Sequence, residues 1–278
     1  MPASWPNATA TGSPRRRCCW PRPRQGRSSP DRQPHGLRLL IMCEEHELPG
    51  GRADLRPAAA VWVPAVDALL QHLADAGFDG APTPDGKLPG DPLGKQRPWP
   101  QWVHDDDTLW QVAQWMREYH AAVADFVPPA DAKWRKGGTW EPGLIIGHND
   151  AVPANVAYAD GRLTGFVGWE FAGPVTREAD LAFAAFAWVP LTARGVAEAE
   201  GFTAFADRPR RLRMFLDAYG WRGTVRQIVH EVRDRISASI HDIRRLAAGG
   251  DTGCQEMIED GYDRELATAV KELATFPR

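Results

Sequence analysis

The sequence predicts an α+β protein, mainly helical in its second half and interrupted there by one β-hairpin. Three observations carry this. Apolar residues recur at three- and four-residue steps from Pro64 onward and again after Glu178, the period of helices with one buried face. Two strand-like runs, 155–159 and 162–167, flank the pair Asp160 and Gly161, a hairpin turn signal. Immediately before them stands Gly147-His148-Asn149-Asp150-Ala151-Val152-Pro153-Ala154-Asn155, a loop with the spacing H-x-D-x-x-x-x-N.

The 278 residues are enough for one domain or two lobes around a full core, and 43% hydrophobic with 25% charged residues is an ordinary globular composition. Residues 1–42 carry eight arginines against one acid, Asp31, so the remainder is acidic. That segment is rich in Arg, Pro and Ser, and we expect a disordered extension. No aromatic interleaving or helical period in it supports a nucleic-acid surface, so no nucleic-acid partner is expected. Arg15-Arg16-Arg17 is not followed by the apolar stretch of a secretory signal. Globular-looking sequence begins near Met42, which is a candidate true start. The four cysteines, Cys18, Cys19, Cys43 and Cys254, form no disulfide or zinc spacing, and no apolar run is long enough to span a bilayer. A cytoplasmic protein without a membrane partner is expected.

In chain order, Val66, Leu69, Leu70 and Leu73 mark a first helix that ends at Gly77. Residues 78–103, dense in Gly, Pro and Asp, read as a loop. Asp105, Asp106 and Asp107 then open a long helix whose buried face is Leu109, Val112, Met116, Tyr119 and Val123. Acids in a first turn complement the helix dipole; a metal site built from the triplet is the sharper alternative. Leu144-Ile145-Ile146 reads as a short buried strand leading into the motif. Folding the hairpin back brings Gly168, at its far end, near Asp150 and Asn155. Helices are expected from Ala179 to Trp188, from Arg210 to a stop at Gly220, from Thr224 to Leu246 and from Met257 to Leu273.

The motif has the makings of phosphoryl-transfer chemistry. Such chemistry needs a carboxylate that orients the attacking hydroxyl, and an amide oxygen five residues on can hold Mg²⁺ against the phosphates. Singly, each residue has a plainer role: a satisfied loop histidine for His148, turn formers for Asp150 and Asn155, a helix cap for Asp180. Together, the segment 147–186 with its hairpin, Trp169-Glu170 and Asp180-Leu181-Ala182 resembles the catalytic core of the aminoglycoside phosphotransferase family, the protein-kinase-like small-molecule phosphotransferases. The likeness is closest over residues 140–190 and extends more weakly over 62–76 and 99–130.

The resemblance implies a protein-kinase-like two-lobe fold. Its parts would be a disordered extension (1–42), a truncated, irregular nucleotide-binding lobe (43–101) and a mainly helical catalytic and substrate lobe (102–278). It makes Asp150 the catalytic carboxylate and Asn155 a Mg²⁺ ligand. His148 becomes the residue that keeps the loop in shape, and Asp180 the brace of its backbone. ATP is implied as co-substrate, a small hydroxyl-bearing molecule such as an aminoglycoside as acceptor. Gly50 and Gly51 resemble the entrance to the family's phosphate-covering turn, and Arg56 matches its basic residue.

Two departures stand out. Where the family carries a metal-binding Asp in a pattern like I-D-W-E, this chain reads Val167-Gly168-Trp169-Glu170. Glu170 is the nearby replacement as metal ligand, and Gly168→Asp is expected to restore metal binding if the rest of the site is intact. The four residues between Gly51 and Arg56 are too few for strand, turn and strand. Two readings follow: an ATP-dependent phosphotransferase with impaired turnover, or an inactive kinase-like pseudoenzyme that binds a ligand or partner.

Overall fold

The computed structural model describes residues 60–277. Gly50, Gly51 and Arg56, the expected nucleotide contacts, lie outside the described residues, as do the extension 1–42 and three of the four cysteines. Helix α1 (Val63–Asp75) has Pro64 in its first turn and buries Ala65, Val66, Leu69, Leu70 and Leu73. The expected loop then runs to residue 100, interrupted by a two-residue strand, β1 (Asp91–Pro92). A short 3-10 turn (Gln101–His104) precedes α2 (Asp106–Ala122). The acidic triplet opens α2 as the dipole argument requires. Asp106 pairs with Arg210 and Arg211, and Asp107 accepts from Gln111, so these carboxylates serve the helix start and ion pairs.

Strand β2 (Ile145–Gly147) leads into the motif, and β3 (Val156–Ala159) and β4 (Arg162–Phe166) form the hairpin. Asp160 and Gly161 both have positive φ, 51° and 79°, as the tight turn needs. Strand β1 pairs antiparallel with the outer edge of β3, giving the order β1-β3-β4. Strand β5 (Gly173–Val175) returns antiparallel to β2, with Gly147 opposite Gly173. Among the described residues β1 is the only strand before residue 101, so these residues hold no five-stranded nucleotide lobe.

The rest is helical: α3 (Arg177–Trp188), α4 (Arg194–Ala199), α5 (Arg208–Tyr219), α6 (Val225–Ala248), α7 (Thr252–Asp260) and α8 (Tyr262–Leu273). Helix α4 lies in a stretch with no long apolar period and is not anticipated by the pattern. The expected closing helix from Met257 to Leu273 is in fact two helices. Gly261, with φ 88°, ends α7 in the left-handed region and starts α8. Helix α6 is the spine of this half. Thr224 and Gln227 form a reciprocal capping box at its start, and its buried stripe of Ile228, Val229, Val232, Ile236, Ile240 and Ile243 packs on α3, α7 and α8.

An aromatic group joins α2 to the hairpin and seats the motif. The Trp115 ring lies 4.5 Å from Phe166, and Trp169 meets His148 edge-on at 4.5 Å. Tyr119 Oη donates to the Ile146 carbonyl at 2.5 Å, and Trp188 Nε1 donates to the Ala151 carbonyl at 2.8 Å. The strand into the loop and the loop itself are therefore hung from α2 and α3 by buried hydrogen bonds.

Candidate active site

His148, Asn149 and Asp150 are buried, and Asn155 lies beside them in the 3-10 turn Pro153–Asn155. Gly147 leaves no room for a side chain, since a Cβ there would stand 2.4 Å from Val175 and 2.8 Å from the Asp180 carboxyl carbon. The loop can thus close directly onto Asp180, the fourth residue of α3. Asp180 Oδ1 accepts from the Asn149 amide at 2.8 Å, and Oδ2 accepts from the His148 amide at 3.0 Å and from His120 Nε2 at 3.1 Å. Burial alone would raise this carboxyl. The His120 hydrogen bond, the His120 and Arg235 charges and the Asn149 amide outweigh it and hold Asp180 at about 2.

His148 is neutral. Its Nδ1 accepts from the Asp150 amide at 3.1 Å while its Nε2 donates to the Val167 carbonyl at 3.1 Å, which assigns the tautomer. Burial lowers it to about 4, against the weaker pull of Asp180 and the Val167 carbonyl. It ties the motif to the far end of the hairpin and offers no nitrogen to a substrate.

Asp150 is the buried acid at the centre of the motif. Asn155 Nδ2 donates to Asp150 Oδ2 at 2.7 Å and to the Asp150 backbone carbonyl at 2.9 Å. Asp150 Oδ1 is buried and has no hydrogen-bond partner among the described residues. Burial raises Asp150 well above the usual carboxylate range and the Glu170 charge adds to this, while Asn155, Lys136 and Arg235 oppose it. A carboxylate with one oxygen fixed, the other free and raised proton affinity is suited to taking a proton from a hydroxyl.

The surroundings contain groups that the motif did not announce. Lys136 sits on an exposed turn closed by the Gly137 amide on the Trp134 carbonyl, and Trp134 lies against Gly173 beside Asn149. Arg235, on α6, bonds to the loop itself. His120 and Arg235 both fall on the apolar faces of their helices, four residues after Met116 and three after Val232. A polar group in such a stripe is the sequence signal that would have found them.

Gly168 lies where the hairpin argument expects it, against Asn155. It has φ 84°, and a Cβ on it would stand 2.5 Å from Asn155 Nδ2. Glu170 is half-buried in the 3-10 turn that Gly168 starts, and no hydrogen bond joins it to Asp150 or Asn155. The oxygens of Asp150, Asn155 and Glu170 are hard donors of the kind Mg²⁺ takes. They do not complete a site, however. Position 168 has no side chain, and no group of three acidic, His or Cys residues able to hold a metal occurs among the described residues. An open depression of about 540 Å³ between α2 and α5 is lined by Trp110, Arg210, Arg213, Met214, Asp217 and Ala218. None of these belongs to the motif.

A buried carboxylate braced by an amide five residues on, beneath a hairpin and above a helix-start aspartate, defines a phosphotransferase-type loop. Residues 20–215 match the phosphotransferase enzyme family, and the chain belongs to it. Among curated proteins it is similar to the trifolitoxin immunity protein of Rhizobium leguminosarum bv. trifolii, with 30% identity over 174 residues. That match takes in 57% of this chain and 64% of the relative's length. Among solved structures, an aminoglycoside-3'-phosphotransferase of type VIII aligns with 62% of this chain and 81% of its own, at 19% identity and a TM-score of 0.37. A spectinomycin phosphotransferase in complex with ADP and spectinomycin aligns with 76% and 82%, at 12% identity and a TM-score of 0.42. Among the described residues no helix is long and apolar enough to cross a membrane.

Proposed function

We propose that this chain is a cytoplasmic phosphotransferase that moves the terminal phosphoryl group of ATP to a hydroxyl of a small molecule, with slow turnover. The observation that supports this most is Asp150, with Oδ2 tied to Asn155 and Oδ1 buried and free. In the reaction the acceptor hydroxyl loses its proton to Asp150 Oδ1. Its oxygen forms a bond to the γ-phosphorus as the bond from that phosphorus to the bridging oxygen breaks, and ADP leaves. Asn155 and the Asp150 amide contact to His148 keep the carboxylate aimed. Lys136 and Arg235 contribute positive charge toward the same carboxylate. The acceptor is a small hydroxyl-bearing compound of the aminoglycoside kind or a related metabolite. The similarity to an immunity protein favours an antibiotic-like acceptor and a protective role.

One observation favours the alternative, a kinase-like binding protein without turnover. The space of the family's second metal ligand holds the Asn155 amide instead of a carboxylate. The deciding experiment is transfer of labelled γ-phosphate by the full chain to a panel of aminoglycosides, sugars and amino alcohols, beside Asp150→Ala. Transfer that falls about a thousandfold in Asp150→Ala supports the phosphotransferase. Ligand binding with no transfer above the Asp150→Ala background would establish the alternative.

A further inference from the structure

Asn149, the residue immediately before the proposed base, has φ 64°, in the left-handed region. Residues with a side chain adopt that conformation rarely, and Asn does so chiefly where its short polar side chain is held by local hydrogen bonds. Here the surroundings are dense. Its amide donates to Asp180 Oδ1 at 2.8 Å, and its Nδ2 donates to the Gly173 carbonyl at 3.2 Å and the Gly147 carbonyl at 3.4 Å. Arg235 closes the remaining side. One of its terminal nitrogens donates to Asn149 Oδ1 at 3.0 Å and to the Asn149 carbonyl at 3.3 Å. The other donates to the carbonyl of Ala179 at 2.8 Å, the residue before Asp180. The guanidinium lies over the Phe183 ring, 4.3 Å from its centre.

One planar fork from α6 thus grips both sides of the brace: the loop residue that sets the direction of Asp150, and the first turn of α3 that carries Asp180. A lysine has no second nitrogen in a fixed plane and cannot make both contacts with this geometry. We propose that Arg235 is a positioning residue, which holds Asn149 left-handed and so aims the Asp150 carboxylate at the acceptor. This rests on the reading of Asp150 as the base. It also makes the long helix α6, rather than the loop alone, part of the site.

The test uses Arg235→Met, Arg235→Lys and Asn149→Gly in the full chain, singly and combined. Glycine adopts φ near 64° without strain, so a chain with Asn149→Gly has less need of the clamp. Arg235→Met is expected to lower kcat roughly 10- to 100-fold while both KM values stay within about threefold. Arg235→Lys should recover only part of the loss. In the Asn149→Gly background the penalty of Arg235→Met should shrink several-fold, as expected for coupled neighbours. Amide resonances of Asp150 and Ala151 should shift in Arg235→Met, in a spectrum otherwise that of the folded native chain. Native-like kcat in Arg235→Met, or an equal loss with and without Asn149→Gly, would overturn the proposal. If Arg235→Met does not fold, Arg235→Lys with and without Asn149→Gly decides the same point. If the native chain transfers no phosphate, the reading of Asp150 as base falls. The amide resonances still decide the clamp then, and unmoved resonances refute it.

Discussion

Gly168 and Asn155 illustrate how one residue's backbone decides what its neighbour can do. The left-handed φ of 84° and the 2.5 Å approach to Asn155 Nδ2 mean that Gly168→Asp does more than add a ligand. It strains the backbone and pushes on the amide that braces Asp150. The variant is expected to lose about 1–3 kcal/mol of stability, read in urea unfolding, and to bind Mg·ATP no better than the native chain. Tighter metal-dependent binding with unchanged stability would contradict this, and would restore the expectation drawn from the family pattern. His148 yields a pH dependence. Its folded value of about 4 lies below the ordinary 6.5, so above about pH 6.5 it is neutral folded or unfolded. As pH falls toward 4 the unfolded chain binds a proton that the folded chain refuses, and stability drops by on the order of 3 kcal/mol. Asp180, held at about 2 against an ordinary 3.8, adds a further loss only below pH 3.8. Urea midpoints between pH 7 and pH 4 should fall less steeply for His148→Gln than for the native chain. Equal slopes would remove His148 as the cause.

At the scale of elements, the loop is a suspended structure with little regularity of its own. Helix α2 holds it through Tyr119 on Ile146, α3 through Asp180 and Trp188, and α6 through Arg235. Removing the Tyr119 hydroxyl leaves the Ile146 carbonyl buried without that donor. Tyr119→Phe should therefore cost about 1–2 kcal/mol, read as a lower melting temperature. Because the strand it holds leads directly into His148, transfer activity should fall with it. A drop in stability without any change in transfer would show that β2 does not position the loop. The capping box of α6 offers a contrast. Thr224→Ala should cost about 1 kcal/mol and leave transfer rate unchanged, since the start of α6 is three turns from Arg235.

For the whole molecule, the open matter is where a nucleotide sits. The described residues give a mainly helical half that carries the His148–Asn155 loop, and before residue 101 they hold a single two-residue strand. The expected phosphate-covering contacts, Gly50, Gly51 and Arg56, fall among residues outside that description. A working nucleotide site requires stabilisation by ligand. At a Mg·ATP concentration about a hundred times its Kd, the full chain should gain about 2.7 kcal/mol, seen as a rise in melting temperature. No rise at millimolar Mg·ATP would count against the phosphotransferase and for the binding-protein alternative.

The family to which the chain belongs was legible in the sequence because its signature is local. A loop of nine residues, an Asp-Gly hairpin turn and a helix-start aspartate each follow from spacing and turn chemistry over short stretches. Helical periodicity likewise gave α1, α2, α3, α5 and α6. It joined α7 to α8, because the apolar period runs on through Gly261 and only the left-handed turn there breaks the axis. What periodicity cannot show is which polar residue on a buried face meets which distant loop. His120, Arg235 and Lys136 stand on helices or turns between 14 and 85 residues from Asp150 in sequence, and their roles exist only once those pieces pack. The sequence by itself determined that a carboxylate and an amide stand five residues apart on one loop and that a glycine occupies position 168. The tertiary structure decided that Asn155 fills the space beside Gly168, that one Asp150 oxygen is left free, and that α6 grips the loop. The grip of α6 joins residues 86 apart in sequence, which no local pattern encodes; the Asn155 contacts are short-range, and the hairpin places the residues without fixing which atoms meet.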